Sequence, residues 1–383
     1  MVGPFGFHPN KTMRSRAFQL ARALVGLGHT VRIIMPPWQT PGEANREWVE
    51  DGVSIRNVAL GGGVPGITIR LVRDVLDWKP DVVHCFKPKA YSGLVAWWLW
   101  RFYREQFRLV MDSDDWEGAG GWNEIAPYSP LQKRFFAWQE RWGMAHCHAL
   151  TVASRALESL AWGEGIAIER VHYLPNGPGI DPTLTDGPPP ENVAADGPIL
   201  LLYSRLFEFD TGHLVDVLSR VKAAEPDFNL LLVGAGLYAE DAAGFRQQLD
   251  DAGLMDHVNE LGWVEEGDVP RLLAAADVGI YLMEDTLLNR AKCPVKLADM
   301  VACGLPVVGE NVGQVGEYVR HGHNGLLRRS GDAAGLAEDI VRLFRDAPLR
   351  QTMSAQATAH YQAHFTWEQL AKAVESVYSG GRT

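Results

Sequence analysis

Apolar residues along the chain gather in short clusters divided by polar turns rich in Gly and Pro. One kind of cluster is a continuous apolar run of a few residues, as expected of a strand covered on both faces. Such runs lie at 31–35, 53–58, 81–84, 108–111, 199–204 and 229–234, and Met1-Val2-Gly3 reads as the end of a strand whose start is missing. A truncated chain or a misassigned start codon would account for that beginning. The other kind repeats at helical spacing. One such segment carries Phe18, Leu20, Ala21, Leu24 and Val25 on a buried face. Others span 242–251, 268–276 (with Asp268 as N-cap and Pro270 in the first turn) and 367–378. Strand and helix alternate throughout, which predicts an α/β protein with parallel sheets. Residues 181–197, rich in Pro, Asp and Gly and without periodicity, read as a linker.

The length of 383 residues is long for one core and comfortable for two. Hydrophobic residues at 46% and charged residues at 22% describe an ordinary soluble protein, and a net charge of -11 argues against general nucleic-acid binding. Cys85, Cys147, Cys293 and Cys303 show no CxxC spacing and read as reduced thiols of a cytosolic protein. In His146-Cys147-His148, neighbours on an extended segment point to opposite faces and do not close a metal site. No apolar run reaches membrane-span length, no signal peptide opens the chain, and a proper GxGxxG for a nicotinamide cofactor is missing.

The stretch 289–306, NRAKCPVKLADMVACGLP, is the most suggestive. Asn289, Arg290, Lys292 and Lys296 form a basic loop, Pro294 suits the first position of a helix, Leu297 and Met300 or Val301 lie on its apolar face, and Gly304 and Pro306 end it. A helix start offers partial positive charge and free N–H groups, which favour a phosphate. Asp299, one turn inside, is placed to accept the hydroxyls of a ribose. An ordinary loop with solvated lysines is the other reading of the same residues.

The succession ADVGIYL (276–282), ACGLPVVGENVGQVGEYV (302–319) and HGHNGLL (321–327) resembles the C-terminal domain of the family 4 retaining glycosyltransferases. LARALVGLGHTV (20–31), LTVAS (150–154) and VHYLPNG (171–177) extend the resemblance over nearly the whole chain. It implies the GT-B fold, two Rossmann-like parallel-sheet domains facing each other across a cleft. The domains implied are 1–180 on the acceptor side, a linker at 181–197, a nucleotide-sugar domain at 198–364, and a helix at 365–383 returning to the first. The activity implied is transfer of a sugar from a nucleotide-diphosphate donor, itself a substrate, to a hydroxyl of a glycan, lipid-linked or small-molecule acceptor, with no cofactor and no metal. Asp115, at the family's His-Asp position, would bind acceptor or sugar hydroxyls; a plain polar loop is the alternative. Arg205, Lys292 and Lys296 would hold the diphosphate, Asp299 the ribose, and main-chain groups near Gly262, Trp263 and Val264 the base and ribose. Gly6 and Gly234 would allow close approach to the donor, and Glu317 would lie near the sugar or the domain interface. This chain departs from the pattern at Asp210, where the family has a second phosphate-binding lysine, at Ala291, where it has a glutamate, and at Asp114, where it often has histidine. Those departures motivate an alternative: a catalytically weak GT-B protein that binds a nucleotide or glycan without turnover.

Residues 93–107 hold Trp97, Trp98 and Trp100 beside Arg101 and Arg104, and Lys133 and Arg134 precede Phe135, Phe136, Trp138 and Trp142. Two readings stay open: core tryptophans of ordinary helices, or a peripheral contact with the inner face of the membrane by a cytoplasmic enzyme.

Overall fold

The computed structural model describes residues 1–9, 11–187, 193, 197–234 and 239–380. The chain divides into two compact units, Met1–Gly177 with Arg290–Cys293 and Thr366–Thr383, and Pro178–Asn289 with Pro294–Phe365. Each has its own apolar core.

The first unit carries β1 (Arg32–Met35), β2 (Glu47–Glu50), β3 (Val53–Asn57), β4 (Val82–Phe86), β5 (Arg108–Ser113), β6 (Ala149–Val152) and β7 (Val171–Tyr173). The strands run β2-β3-β1 and β4-β5-β6-β7, and Val2 bridges Ile34 of β1 and Cys85 of β4 in parallel, joining the two sets. Counting Val2 as the first strand position, the parallel order from β3 is 3-2-1-4-5-6-7. The expectation of wholly parallel sheets is corrected at β2, which pairs antiparallel with β3 at the edge. Burial alternates there, with Glu47 and Val49 exposed and Trp48 and Glu50 half-buried, a half-exposed pattern instead of a buried run. The C-terminal helix Trp367–Ser379 places Trp367, Leu370, Val374 and Val377 in this core, with Leu20 and Leu24 of the helix Gln19–Gly26.

The second unit carries β8 (Ile199–Tyr203), β9 (Asn229–Val233), β10 (Val258–Gly262), β11 (Val278–Tyr281), β12 (Val307–Glu310) and β13 (Gly325–Arg328), all parallel in the order β10-β9-β8-β11-β12-β13. This is again 3-2-1-4-5-6, the doubly wound order whose switch point lies between its first and fourth strands. The leucines of β8 and β9 are buried, as both-face coverage requires.

Several local expectations shift. Pro294 is the residue before the helix Val295–Ala302, not its first residue; its ψ of 107° is extended. Part of the supposed basic loop is itself a helical turn, Leu287–Ala291. Asp268 does not cap the helix Val269–Ala275, because its carboxylate pairs with Arg271. The tryptophans of the helices Ala90–Tyr103 and Pro130–Ala145 are not fully in the core: Trp97, Trp98, Trp100 and Trp142 are half-buried and Trp138 is 45% exposed. Part of the expected linker, residues 188–192 and 194–196, and Ala235 and Gly236 behind β9 lie outside the described residues.

Candidate functional site

Open parallel sheets bind ligands beyond the C-terminal ends of their strands at a switch point. In the second unit that edge begins with Arg205, which follows β8 and pairs with Glu208 at 3.0 Å while its side chain stays 46% exposed. Asp210 turns its carboxylate to the backbone, accepting from Gly212 N at 3.0 Å as N-cap of the helix Thr211–Ala224. Lys296, in the first turn of Val295–Ala302, lays its ammonium over the Tyr203 ring at 4.4 Å. That ammonium lies 3.6 Å from where a Cβ on Gly234 would be. Gly234 has φ +107°, and a Cβ there would lie 2.3 Å from the Ser204 carbonyl oxygen. Its glycine is therefore required by the crossing of β8 and β9, whatever ligand approaches. Gly262, at φ +62°, accepts from Gly234 N at 2.7 Å. Trp263 is 69% exposed and Val264 half-buried.

Asp299 is buried, and its Oδ1 accepts from Gly179 N at 2.7 Å. Burial pushes its carboxyl up to about 7 against the opposing bonds from the Gly179 and Ile180 amides. A ribose would compete with those amides for the same carboxylate. Glu317 is half-buried, and its carbonyl accepts from His360 Nε2 at 2.8 Å.

The first unit holds a denser cluster. Lys87 follows β4 at φ +60°, a conformation costly for a side-chain-bearing residue. Ser92 Oγ holds it by donating to the Lys87 carbonyl at 2.6 Å, and Gln139 pins the same loop through both polar atoms of Ala90. The Lys87 ammonium lies 2.7 Å from Asp115 Oδ2 and 3.0 Å from Asp114 Oδ1, beyond the end of β5. Lys89 pairs with Glu117 and lies 4.6 Å from the Tyr128 ring centre. Burial would raise the Asp115 carboxyl, but Lys87 outweighs it and, with Lys292 and the Trp122 indole, holds it below the usual carboxylate range. Its neighbour Asp114 goes the other way, pushed by burial to about 6 against the pull of Lys87. Two adjacent carboxyls are thus shifted in opposite directions, Asp115 toward its charged form and Asp114 toward its neutral one. Glu140, buried beside them with Oε1 accepting from Glu117 N at 3.0 Å, is raised by burial to about 8. Gly6 is buried in the same unit, where a Cβ would press on Pro37 at 3.3 Å.

The stretch 289–306 does not stay in one unit. Arg290–Cys293 belongs to the first and Pro294 onward to the second. Lys292 is buried with its ammonium 5.3 Å from the Trp122 ring centre, and acts on Asp115. Ala291 is fully buried, with its carbonyl accepting from Ser154 Oγ at 2.7 Å. Lys87 and Lys89 stand just past β4, at the strand end where open parallel sheets bind ligands, whereas Glu117, Gln139 and Glu140 carry no such sign in the sequence. The last two sit on the inner face of an amphipathic helix, where no local pattern separates them from its other polar residues.

Comparison with known proteins agrees with this geometry. The family described as "Glycosyl transferase 4-like domain" matches residues 12–177 and "Glycosyl transferases group 1" matches 197–346. A phosphatidyl-myo-inositol mannosyltransferase of Mycobacterium leprae is 26% identical over 99% of this chain and 95% of its own length. Sucrose-phosphate synthase of Thermosynechococcus elongatus superimposes with a TM-score of 0.73 at 20% identity, over 95% of this chain and 92% of that one. Anabaena HepE, in complex with UDP and glucose, gives 0.71 at 18% identity over 99% and 98%. Two Rossmann-like sheets, both family matches and the full-length relative lead to one assignment: the chain belongs to the group 1, or family 4, glycosyltransferases and has their GT-B fold.

Proposed function

We propose that this glycosyltransferase is retaining and moves a hexose from a nucleoside-diphosphate donor to a hydroxyl of a glycan, lipid-linked or small-molecule acceptor. The observation that carries the reading is the Lys296 ammonium over Tyr203 and Gly234, at a helix start and beyond the ends of β8 and β9. Arg205 and Lys296 take the diphosphate, and the helix N-terminus adds to the field that meets the charge of the leaving group. Asp210, which occupies the place of the family's second lysine, is occupied with a helix cap. Main-chain groups at Gly262, Trp263 and Val264 receive the base and ribose, and Asp299 is the ribose acceptor. Asp115, kept charged by Lys87 and Lys292, accepts a hydrogen bond from a substrate hydroxyl; so acidic a carboxylate orients and is a weak base. The acceptor attacks from the face the diphosphate leaves, and its proton goes to the departing phosphate. No cofactor enters the scheme. The full-length relative is named as a transferase, which favours turnover over binding alone. Calorimetry with UDP and GDP tests the phosphate site: Lys296→Ala should lose about 1.5–3 kcal/mol of affinity for whichever nucleotide binds, the scale of a charged hydrogen bond. Unchanged affinity removes Lys296 from the site.

A membrane-surface acceptor is a second element of the reading, carried by one observation. Phe102, Leu131, Phe135 and Trp138 are exposed on the helices Ala90–Tyr103 and Pro130–Ala145, which pack against each other, with Arg101, Arg104 and Arg134 exposed beside them. Exposed aromatic and cationic side chains together suit a lipid interface. Among the described residues no helix is long and apolar enough to cross a membrane, so the contact proposed is peripheral, on the inner, cytoplasmic face. At low ionic strength the protein should sediment with vesicles containing anionic lipid. Protein left in the supernatant with and without that lipid favours a soluble acceptor.

A further inference from the structure

We propose that Asn176 and Ser154 are positioning residues that set Lys292 by clamping the main chain on both sides of it. The proposal rests on the reading above, in which Lys292 is the cation beside Asp115. Ser154 Oγ donates to the Ala291 carbonyl at 2.7 Å, and Asn176 Nδ2 donates to the Cys293 carbonyl at 2.8 Å. Asn176 N also meets Cys293 Sγ at 3.1 Å. The peptide before Lys292 and the one after Cys293 are therefore each tied to a fully or nearly buried side chain of the first unit. A long lysine side chain carries several soft torsions, so holding the main chain at Ala291 and at Cys293 narrows where the ammonium between them can go.

The Asn176 end of the clamp is itself held from within the core. Arg16 NH1 donates to Asn176 Oδ1 at 2.9 Å, which fixes the amide with its nitrogen toward Cys293. The other guanidinium nitrogens grip Asp112 at 2.8 and 2.7 Å. Thr151 donates to Asp112 at 2.6 Å, so its oxygen must accept from His84 Nε2 at 3.1 Å, and His84 Nδ1 then accepts from the Tyr378 hydroxyl at 2.8 Å. Burial keeps His84 neutral, lowering it to about 3, as this order of donors requires. An unbroken series of hydrogen bonds, buried except at its Tyr378 end, thus runs from the C-terminal helix to Cys293, with every donor matched to an acceptor. Asp112 and Arg16 in this series also act electrostatically on Asp114, so the test of the clamp is made at Asn176 and Ser154.

The test is a double-mutant cycle on turnover, read as nucleoside diphosphate released from UDP-glucose and GDP-mannose. Asn176→Asp keeps the acceptor for Arg16 but sets a carboxylate oxygen against the Cys293 carbonyl. In protein that stays folded at the assay temperature it should lower kcat about 10-fold, and it should have no further effect in a Lys292→Met background. Ser154→Ala, which breaks the other side of the clamp, should follow the same rule if Asn176→Asp folds poorly. If Lys292→Met itself leaves kcat unchanged, the reading of Lys292 beside Asp115 falls and this proposal with it. If Lys292→Met slows the enzyme but Asn176→Asp and Ser154→Ala each multiply the loss in that background, the clamp is overturned while the site reading stands.

Discussion

Arg16→Met is expected to destabilise the protein by about 3–5 kcal/mol, the usual consequence of removing one partner from a buried ion pair. Arg16 is 1% exposed and Asp112 is fully buried. The pair is bidentate, and the same guanidinium also donates to the Leu174 carbonyl at 2.9 Å. Methionine fills much of the volume but leaves Asp112 with Thr151 alone among its charged or strong donors. The effect has a pH sign. In the parent protein burial would raise Asp112, and Arg16 outweighs it, so the folded carboxyl lies below its ordinary value. That stability is present above an unfolded pKa of about 4 and is lost as pH falls through the folded value. In Arg16→Met the shift reverses, and stability should fall as pH rises above about 4. Urea unfolding at several pH values reads both the loss and the change of slope. Arg16→Met with Asp112→Asn should recover part of the loss, because the uncompensated charge is then gone; equal stability of parent and single variant would contradict the account.

Much of the fold is legible in the residues. The buried strands β8 and β9 are apolar runs, the helix Gln19–Gly26 shows its stripe, and the glycine and proline after residue 303 stop a helix where expected. What periodicity misses is what side chains do at a distance. Asp210 looks like a lost phosphate ligand but caps a helix, since Gly212 N is its nearest orphan donor. Gly234 looks like a ligand-facing glycine, yet the atom that forbids a side chain is the Ser204 carbonyl oxygen. Lys292 and Lys296, four residues apart, read as one basic loop, although the chain passes from one compact unit to the other between them. Arg16 sits in an amphipathic segment and carries no local sign that Asp112 and Asn176, far along the chain, will meet it. The edge strand β2 escapes because its alternation is short and half polar.

The largest expected effect is on chemistry itself. A glycosyltransferase accelerates its reaction by about 10⁶-fold or more, so turnover with the right donor stands far above background hydrolysis. In the proposed reading Arg205 and Lys296 would give the diphosphate a cationic seat in the second unit, and Asp115, beside Lys87 and acted on by Lys292, would give a hydroxyl an acceptor in the first. The family assignment establishes the kind of reaction, and donor and stereochemistry are the proposed part. The direct measurement is nucleoside diphosphate release from UDP- and GDP-hexoses with glycan and lipid-linked acceptors, followed by proton NMR of the glycosylated product. The account predicts release dependent on an acceptor, weakened by Lys296→Ala, and a product whose anomeric configuration matches the donor. Release with an inverted product, or rates that Lys296→Ala and Asp115→Asn leave untouched, would contradict it.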